Sequence, residues 1–461
     1  MIDFSIVNVA LEAMAHSLKA TETQLELIVA VYGVGFAVCL AMGGRLGDNF
    51  GRRRLFGWGV VVFSIASLLC GLATSVWMLL VARTLQGVGA ALIVPQILAT
   101  IHVGLQGREH SRAIGFYAAI GGLAFVVGQV LGGFLVSADL FGLGWRSVFL
   151  INLPIGLAIL SSVHRHVPET RAQNPARIDW PGTVLLAVVI LCLLLPMSLG
   201  PVLHWPWQCI ALLMLVAPLL WALWRIELRQ ERRRAFPLLP PSLLRLPSMR
   251  FGLCIAVLFF SSWSGFMFSL ALTLQSGVGL SPMQSGNAFI AMGSAFFVGS
   301  LMTSRAVARF DRLSLLLFGC AVQMTGLLGL MFTLREAWPH PTPLMLVPAT
   351  VLIGFGQAFI VGCFFRIGLS EVPTEQAGAG SSMLSTVQQA SLGLGPALLG
   401  AVLTQTLHLT GGNYLEAVLG ALAAEFCVML MLVALVVVQF RRQIAAARTH
   451  AEAQRQACAV S

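Results

Sequence analysis

Four ionisable side chains, Asp3, Glu26, Arg83 and Glu425, stand inside otherwise apolar stretches of the 461-residue chain. A carboxyl group in apolar surroundings favours its neutral form, so it can take up a proton on one side of a barrier and release it on the other. Arg83 is the one arginine well inside an apolar run. Burying its guanidinium costs about 2.5–3.5 kcal/mol on insertion scales, so it requires an acceptor or water. The chemistry open to these residues is proton binding and release. Asp3 and Glu26 are candidates for it by position, unless Glu26 merely faces outer water. Glu425 is expected to serve packing or to lie at an exposed end.

Other chemistries lack their residues. No GxxxxGK[ST] loop offers a phosphate site, and no Ser/His/Asp arrangement or metal-ligand spacing is present. Eight of the nine cysteines lie in apolar runs and no CxxC occurs, so they read as small buried hydrophobes. His164 and His166 flank Arg165 and read as solvated charge. The expectation is a protein without catalytic residues, metal or cofactor, driven by a proton gradient.

The elements that position these residues follow from composition. The chain is 57% hydrophobic and 10% charged, against about 25% charged in soluble domains. Its mean hydropathy is +0.87. A soluble enzyme, a disordered chain and a nucleic-acid module are excluded. A bilayer-crossing helix needs about 20 mostly apolar residues. Thirteen such runs lie near 24–44, 55–76, 78–101, 113–137, 146–163, 180–199, 206–224, 251–275, 284–304, 313–334, 343–365, 377–407 and 415–440. Before them, Ile2 to Met14 covers only about 20 Å of a hydrocarbon core about 30 Å thick. It reads as the outer part of a truncated first helix, which brings the count to fourteen. The natural product is therefore expected to begin upstream, with Met1 an internal methionine. Asp3, beside a charged amino terminus, is expected to lose most of its burial.

Charge sets the orientation. One set of loops and the tail hold 24 basic residues, and the opposite set holds three, Lys19, Arg146 and Arg335. The richer side is cytoplasmic. With an even helix count both termini lie there, in the inner membrane of the cell. The net charge of +10 is thus a topology signal and implies no nucleic-acid partner. The layout is an all-α polytopic membrane protein: an N-terminal bundle at 1–163, two extra central helices at 179–225, a basic cytoplasmic linker at 226–250, a C-terminal bundle at 251–440 and a tail at 441–461. The linker's arginines could meet anionic lipid or simply orient the chain.

Three strings carry more. After the second span comes Gly43-Gly44-Arg45-Leu46-Gly47-Asp48-Asn49-Phe50-Gly51-Arg52-Arg53-Arg54. It reads as a tight cytoplasmic turn that needs glycine, with Asp48 near the positive end of the next helix. In the fourth span Arg83 is followed by Gln86, Gly87 and Gly89. In the fifth, Gly121, Gly128 and Gly132 share one helix face, and Gly115, Gly122 and Gly133 form a second stripe, spacing that lets helices approach closely. Trp263, Phe266 and Phe268 in the ninth span could line an apolar cavity or pack in the core. An echo of the first string recurs 260 residues on, where Arg305, Phe310 and Arg312 match Arg45, Phe50 and Arg52, with Ala308 at the Asp48 position.

The first string resembles the signature loop of the major facilitator superfamily, G-x-L-x-D-x-x-G-R-R. The second resembles that family's R-x-x-Q-G-x-G motif. Gly128-Gln129-Val130-Leu131-Gly132-Gly133 is similar to the antiporter motif G-P-x-x-G-G, with Gln129 where the family usually has Pro. The run Asp3 to Leu11 and the string from Trp145 to Pro154 look like the fourteen-helix drug:proton antiporter branch. The resemblance implies two six-helix bundles with two extra helices between them. It implies a conformational latch at Gly43, Gly47, Asp48, Gly51, Arg52 and Arg53, and proton coupling at Asp3 and Arg83. The implied function is proton-coupled export of hydrophobic, often cationic small molecules by alternating access. An exporter or importer of one metabolite, or a non-transporting sensor, are the alternatives. The implied partners are a small-molecule substrate, protons and the lipid bilayer, with the chain acting as a monomer.

Overall fold

The computed structural model describes residues 2–105, 107–171, 179–200, 205–233, 239–307, 309–373 and 377–460. Among them all regular structure is helical. α1 comprises Ile2–Ile6 and Leu11–Leu18, joined by a 3-10 turn at Asn8–Ala10. Then follow α2 (Glu22–Phe50), α3 (Arg52–Gly71), α4 (Val76–Gly104) and α5 (Gly107–Ala138). α6 runs from Ser147–Leu150 into Asn152–His166. The extra pair is α7 (Trp180–Leu199) and α8 (Trp207–Arg232). α9 begins at Pro247–Ile255, passes through a π segment at Ala256–Phe260 and Ser261–Leu272, and closes in a π turn at Thr273–Gly277. α10 comprises Pro282–Asn287 and Ile290–Ala306. The chain ends with α11 (Arg312–Ala337), α12 (Pro343–Gly368), α13 (Ala377–Leu409) and α14 (Tyr414–Val460).

Among the described residues, eleven helices are long and apolar enough to cross a membrane, or twelve if α2, bent by 48°, is one span. The short α1, and α5 with its apolar stretch Val127–Ala138, make the arrangement consistent with fourteen. Side-chain caps set where helices restart. Thr21 and Ser281 form capping boxes with Gln24 and Gln284, and Asp311 accepts the Leu313 and Ser314 N–H groups at the head of α11.

The echo in sequence is an echo in packing. Gly87 of α4 sits flush on the Tyr32 carbonyl, and Gly354 of α12 sits on that of Met292. Gly89 meets the Phe63 backbone N, and Gly356 meets that of Gln323. The partners are 260 residues apart in both cases, so each half repeats one close-packing plan. Arg312 opens α11 as Arg52 opens α3. Ala308 lies outside the described residues.

The halves meet along three lines. Gly33 of α2 lies against Gly393 of α13. Gly133 of α5 lies against Pro282 of α10, where the Met283 N–H donates to Ser137 Oγ at 3.2 Å. In the C-terminal segment of α1, Ser276 Oγ donates to Glu12 Oε2 at 2.5 Å. Leu186, Ile190 and Leu194 of α7 cluster with Ala37 of α2, and α7 also meets α13. The extra pair thus touches both halves.

Candidate functional site

Five helices converge on one buried cluster: Asp3 of α1, Tyr32 of α2, Ser67 of α3, Arg83 and Gln86 of α4, and Asn152 of α6. Arg83 Nη1 donates to Asp3 Oδ2 at 2.6 Å and to Gln86 Oε1 at 2.8 Å, and its Nε donates to the Ile28 carbonyl at 3.2 Å. Gln86 Nε2 donates to Asp3 Oδ1 and to Ser67 Oγ, each at 2.8 Å. Asn152 Nδ2 donates to Asp3 Oδ1 at 2.9 Å and to Ser67 Oγ at 3.2 Å. The guanidinium carbon lies 4.4 Å from the Tyr32 ring centroid, within cation–π range.

The carboxylate thus receives three N–H donors, and the pair of charges is neutral as a unit. That resolves the cost of Arg83 in its apolar run: the acceptor it requires comes from 80 residues away. The expectation that Asp3 would lose its burial is corrected. Asp3 is 5% exposed and Arg83 is 0% exposed, because the first turn of α1 packs on α5 while Arg83 and Gln86 of α4 and Asn152 of α6 bond the carboxylate. Gln86 follows Arg83 by one helical turn, so its share in the cluster was readable from spacing. Ser67 and Tyr32 carried no such signal, and Asn152 stood out only as part of the string from Trp145 to Pro154.

The glycine loop differs from its sequence reading in three respects. α2 continues to Phe50, so Gly43 and Gly47 lie within the helix and press on α4, at the Ala91 carbonyl and the Gln96 side chain. Gln96 Nε2 donates to the Gly43 carbonyl at 2.8 Å. The turn is made by Gly51 alone, at φ 104° and ψ 128°. Asp48 sits in the last turn of α2, where the helix dipole disfavours a carboxylate. Arg52 compensates, with Nη2 at 2.6 Å and Nε at 3.1 Å from Asp48 Oδ1. The acid at the head of α3 is Glu169, whose Oε1 accepts the Arg53 N–H at 3.1 Å. Its Oε2 is 3.7 Å from Arg53 Nε and 3.9 Å from Arg54 Nε. Apart from Glu169, in the connection that follows α6, these partners belong to the first half. The side chains of Glu26 and Arg45 lie outside the described residues.

On α5, Gly128 and Gly132 face α1 at Ser5 and Ile6, whereas Gly133 faces α10, so one helix binds both halves with two stripes. Gly121 is half-buried, and of Gly115 and Gly122 only the helical backbone is described. Gln129 is buried. Glu425 is 0% exposed and accepts from Gln323 Nε2 at 3.2 Å, so packing is right and the exposed end is wrong. Trp263, Phe266 and Phe268 are all buried. The Trp263 ring stacks on Phe296 with centroids 5.9 Å apart and adjoins Phe259 and Phe260.

Two half-bundles that repeat one packing plan and carry a buried ion pair at depth define a membrane transporter. The chain belongs to the Major Facilitator Superfamily, whose family model matches residues 1–396. It is 37% identical over 403 residues to the "Probable actinorhodin transporter" of Streptomyces coelicolor, covering 87% of this chain and 70% of the relative. It is 32% identical over 413 residues to the "Drug efflux pump JefA" of Mycobacterium tuberculosis, covering 88% and 78%. The "Tetracenomycin C resistance and export protein" of Streptomyces glaucescens is 30% identical over 403 residues, covering 87% and 73%. Among solved structures, an auto-inhibited peptide transporter of the POT family superposes with a TM-score of 0.63 at 16% identity, over 94% of this chain and 96% of that one. That likeness concerns the fold.

Proposed function

We propose that the chain is a secondary active exporter, moving hydrophobic small molecules outward by alternating access as protons enter. The observation that carries this reading is the Asp3–Arg83 pair, sealed among three donors to the carboxylate. A proton arriving at Asp3 cancels its charge, releases Arg83 and loosens the first turn of α1. The far end of α1 holds the second half through Glu12 and Ser276, so a proton bound in one half has a mechanical route to the seam between them. Relatives named for resistance and export support the outward direction. The loop from Gly43 to Arg53 acts as a conformational latch without touching substrate. The chain lies in the inner membrane with both termini cytoplasmic. It acts as a monomer on small molecules, protons and the bilayer, without cofactor, catalysis or nucleic acid.

One proton falling through 100 mV yields about 2.3 kcal/mol, and one pH unit yields about 1.4 kcal/mol. Proteoliposomes should therefore accumulate substrate when acidified on the proper side and lose it on adding a protonophore. Gradients indifferent to both pH and protonophore would exclude proton coupling. Orientation is tested separately. Tags at the C-terminus and at 230–235 should report cytoplasm and a tag near 340 the outside; one side for all three would sink the fourteen-span orientation.

A further inference from the structure

Glu425 is a buried acid to which the mechanism above gives no part. Its span runs from Tyr414 to Arg441. At about 1.5 Å per residue the acid lies about 16 Å from the first and about 24 Å from the second, deep in the membrane. It is 0% exposed, and Gln323 Nε2 of α11 donates to its Oε1 at 3.2 Å. The other oxygens of the two side chains, Glu425 Oε2 and Gln323 Oε1, are buried without a partner among the described residues. α14 packs on α9, α11 and α13. The charged groups described on these helices stand at their ends: Arg250 on α9, Arg312, Arg335 and Glu336 on α11, His408 on α13, Glu416 and Arg441 on α14. Tyr414 also lies at an end, and between the ends are only the thiols of Cys254, Cys320 and Cys427.

The internal repeat accounts for the missing cation. Gly87 and Gly89 of α4 pack as Gly354 and Gly356 of α12 do, 267 residues on in each case. At that offset Thr350 stands where the first half has Arg83, and Thr350 Oγ1 donates to the Leu346 carbonyl of its own helix at 3.0 Å. On α11, Gln323 stands where α3 has Phe63. α14 closes the second half as α6 closes the first, and α6 brings Asn152 within 3.2 Å of Ser67 on α3. The same helix contact therefore braces an ionised acid in one half, where Arg83 supplies the countercharge. In the other half it sets an acid beside an amide.

An ionised Glu425 would be a buried charge without a counterion and would leave both oxygens unsatisfied, each at a cost. One hydrogen serves both, because a protonated carboxyl carries one O–H donor. We propose that Glu425 binds a proton and shares it with Gln323 Oε1, as an acid–amide pair that ties α14 to α11. This proton stays bound while Asp3 exchanges its own. The main partners of α11 and α14 are α9, α12 and α13, all of the second half, so the pair travels within that half when access alternates. The site is independent of the exporter reading; only the permanence of its proton rests on it.

The test uses the full chain in lipid nanodiscs and infrared difference spectra at neutral pH, where an exposed glutamate, titrating near about 4.3, is ionised. The wild type should show a protonated-carboxyl C=O stretch that Glu425→Gln lacks and Asp3→Asn keeps. Gln323→Leu reads the pair without touching the acid, and should move that band to higher frequency as the carbonyl loses its donor. In proteoliposomes with ethidium as the probe, Glu425→Gln should accumulate dye at the wild-type level, with the same response to pH and protonophore. Carboxylate bands at Glu425 in place of the protonated one, whether the group is bare or holds sodium, overturn the proposal. So does a band that Gln323→Leu leaves in place. A Glu425→Gln protein that elutes as wild type yet loses proton-driven accumulation overturns the permanence, since its proton is then exchanged. A wild type whose accumulation ignores the protonophore would instead overturn coupling at Asp3, and the spectra would still decide on Glu425.

Discussion

Asp3→Asn should reduce proton-driven accumulation to that of vesicles without protein and also destabilise the fold. The variant leaves the Arg83 charge at 0% exposure with the Gln86 and Ile28 oxygens as its remaining acceptors among the described residues. Removing one partner of a buried pair costs about 3–5 kcal/mol, chiefly for the uncompensated charge left behind. Two causes of lost transport are then mixed, and a second variant separates them. Asp3→Asn combined with Arg83→Met removes both charges and should regain most of the thermal stability, because uncharged pairs of similar volume are tolerated. It should not regain coupling, since no group remains at the site to exchange a proton. Thermal unfolding in detergent and accumulation in proteoliposomes give the two readings. A stable double variant that still accumulates substrate against a pH gradient would remove Asp3 and Arg83 from the coupling mechanism.

Gly51→Leu should slow transport about tenfold or more while the protein still inserts. Gly51 is held at φ 104° and ψ 128°, a conformation that costs a residue with a side chain about 1–3 kcal/mol. A Cβ there would also lie 2.6 Å from Glu169 Oε1, expelling the carboxylate that accepts the Arg53 N–H. The head of α3 loses its acid and its turn together, and each tenfold in rate corresponds to about 1.4 kcal/mol. Glu169→Gln, which keeps an acceptor but not the charge, should cost less. Initial rates at equal membrane abundance decide the matter. A wild-type rate for Gly51→Leu would make the loop a means of orienting the chain and nothing more.

The class of the protein was legible in its composition, and its plan in the spacing of charge and apolar runs. Such properties are local: a helix of about 20 apolar residues has to cross the bilayer wherever it lies in the chain. The same holds for the need of Arg83 for an acceptor, which follows from one charge in one apolar run. The offset of 260 at Arg305, Phe310 and Arg312 likewise pointed to the repeat that Gly87 and Gly354 display in their packing. What only the tertiary structure decided is which faces oppose each other. Asn152 reaches Asp3 across 149 residues, and Glu169 reaches Arg53 across 116. Gln129 finds no partner among the described residues although it is buried, and Glu425 packs against Gln323 rather than lying at an exposed end. In the membrane, apolar residues face lipid and core alike, so hydrophobic periodicity does not mark the inward face of a helix. Burial and pairing of the few polar groups therefore wait on the helix–helix contacts, which small residues such as Gly33, Gly87 and Gly133 permit but do not announce.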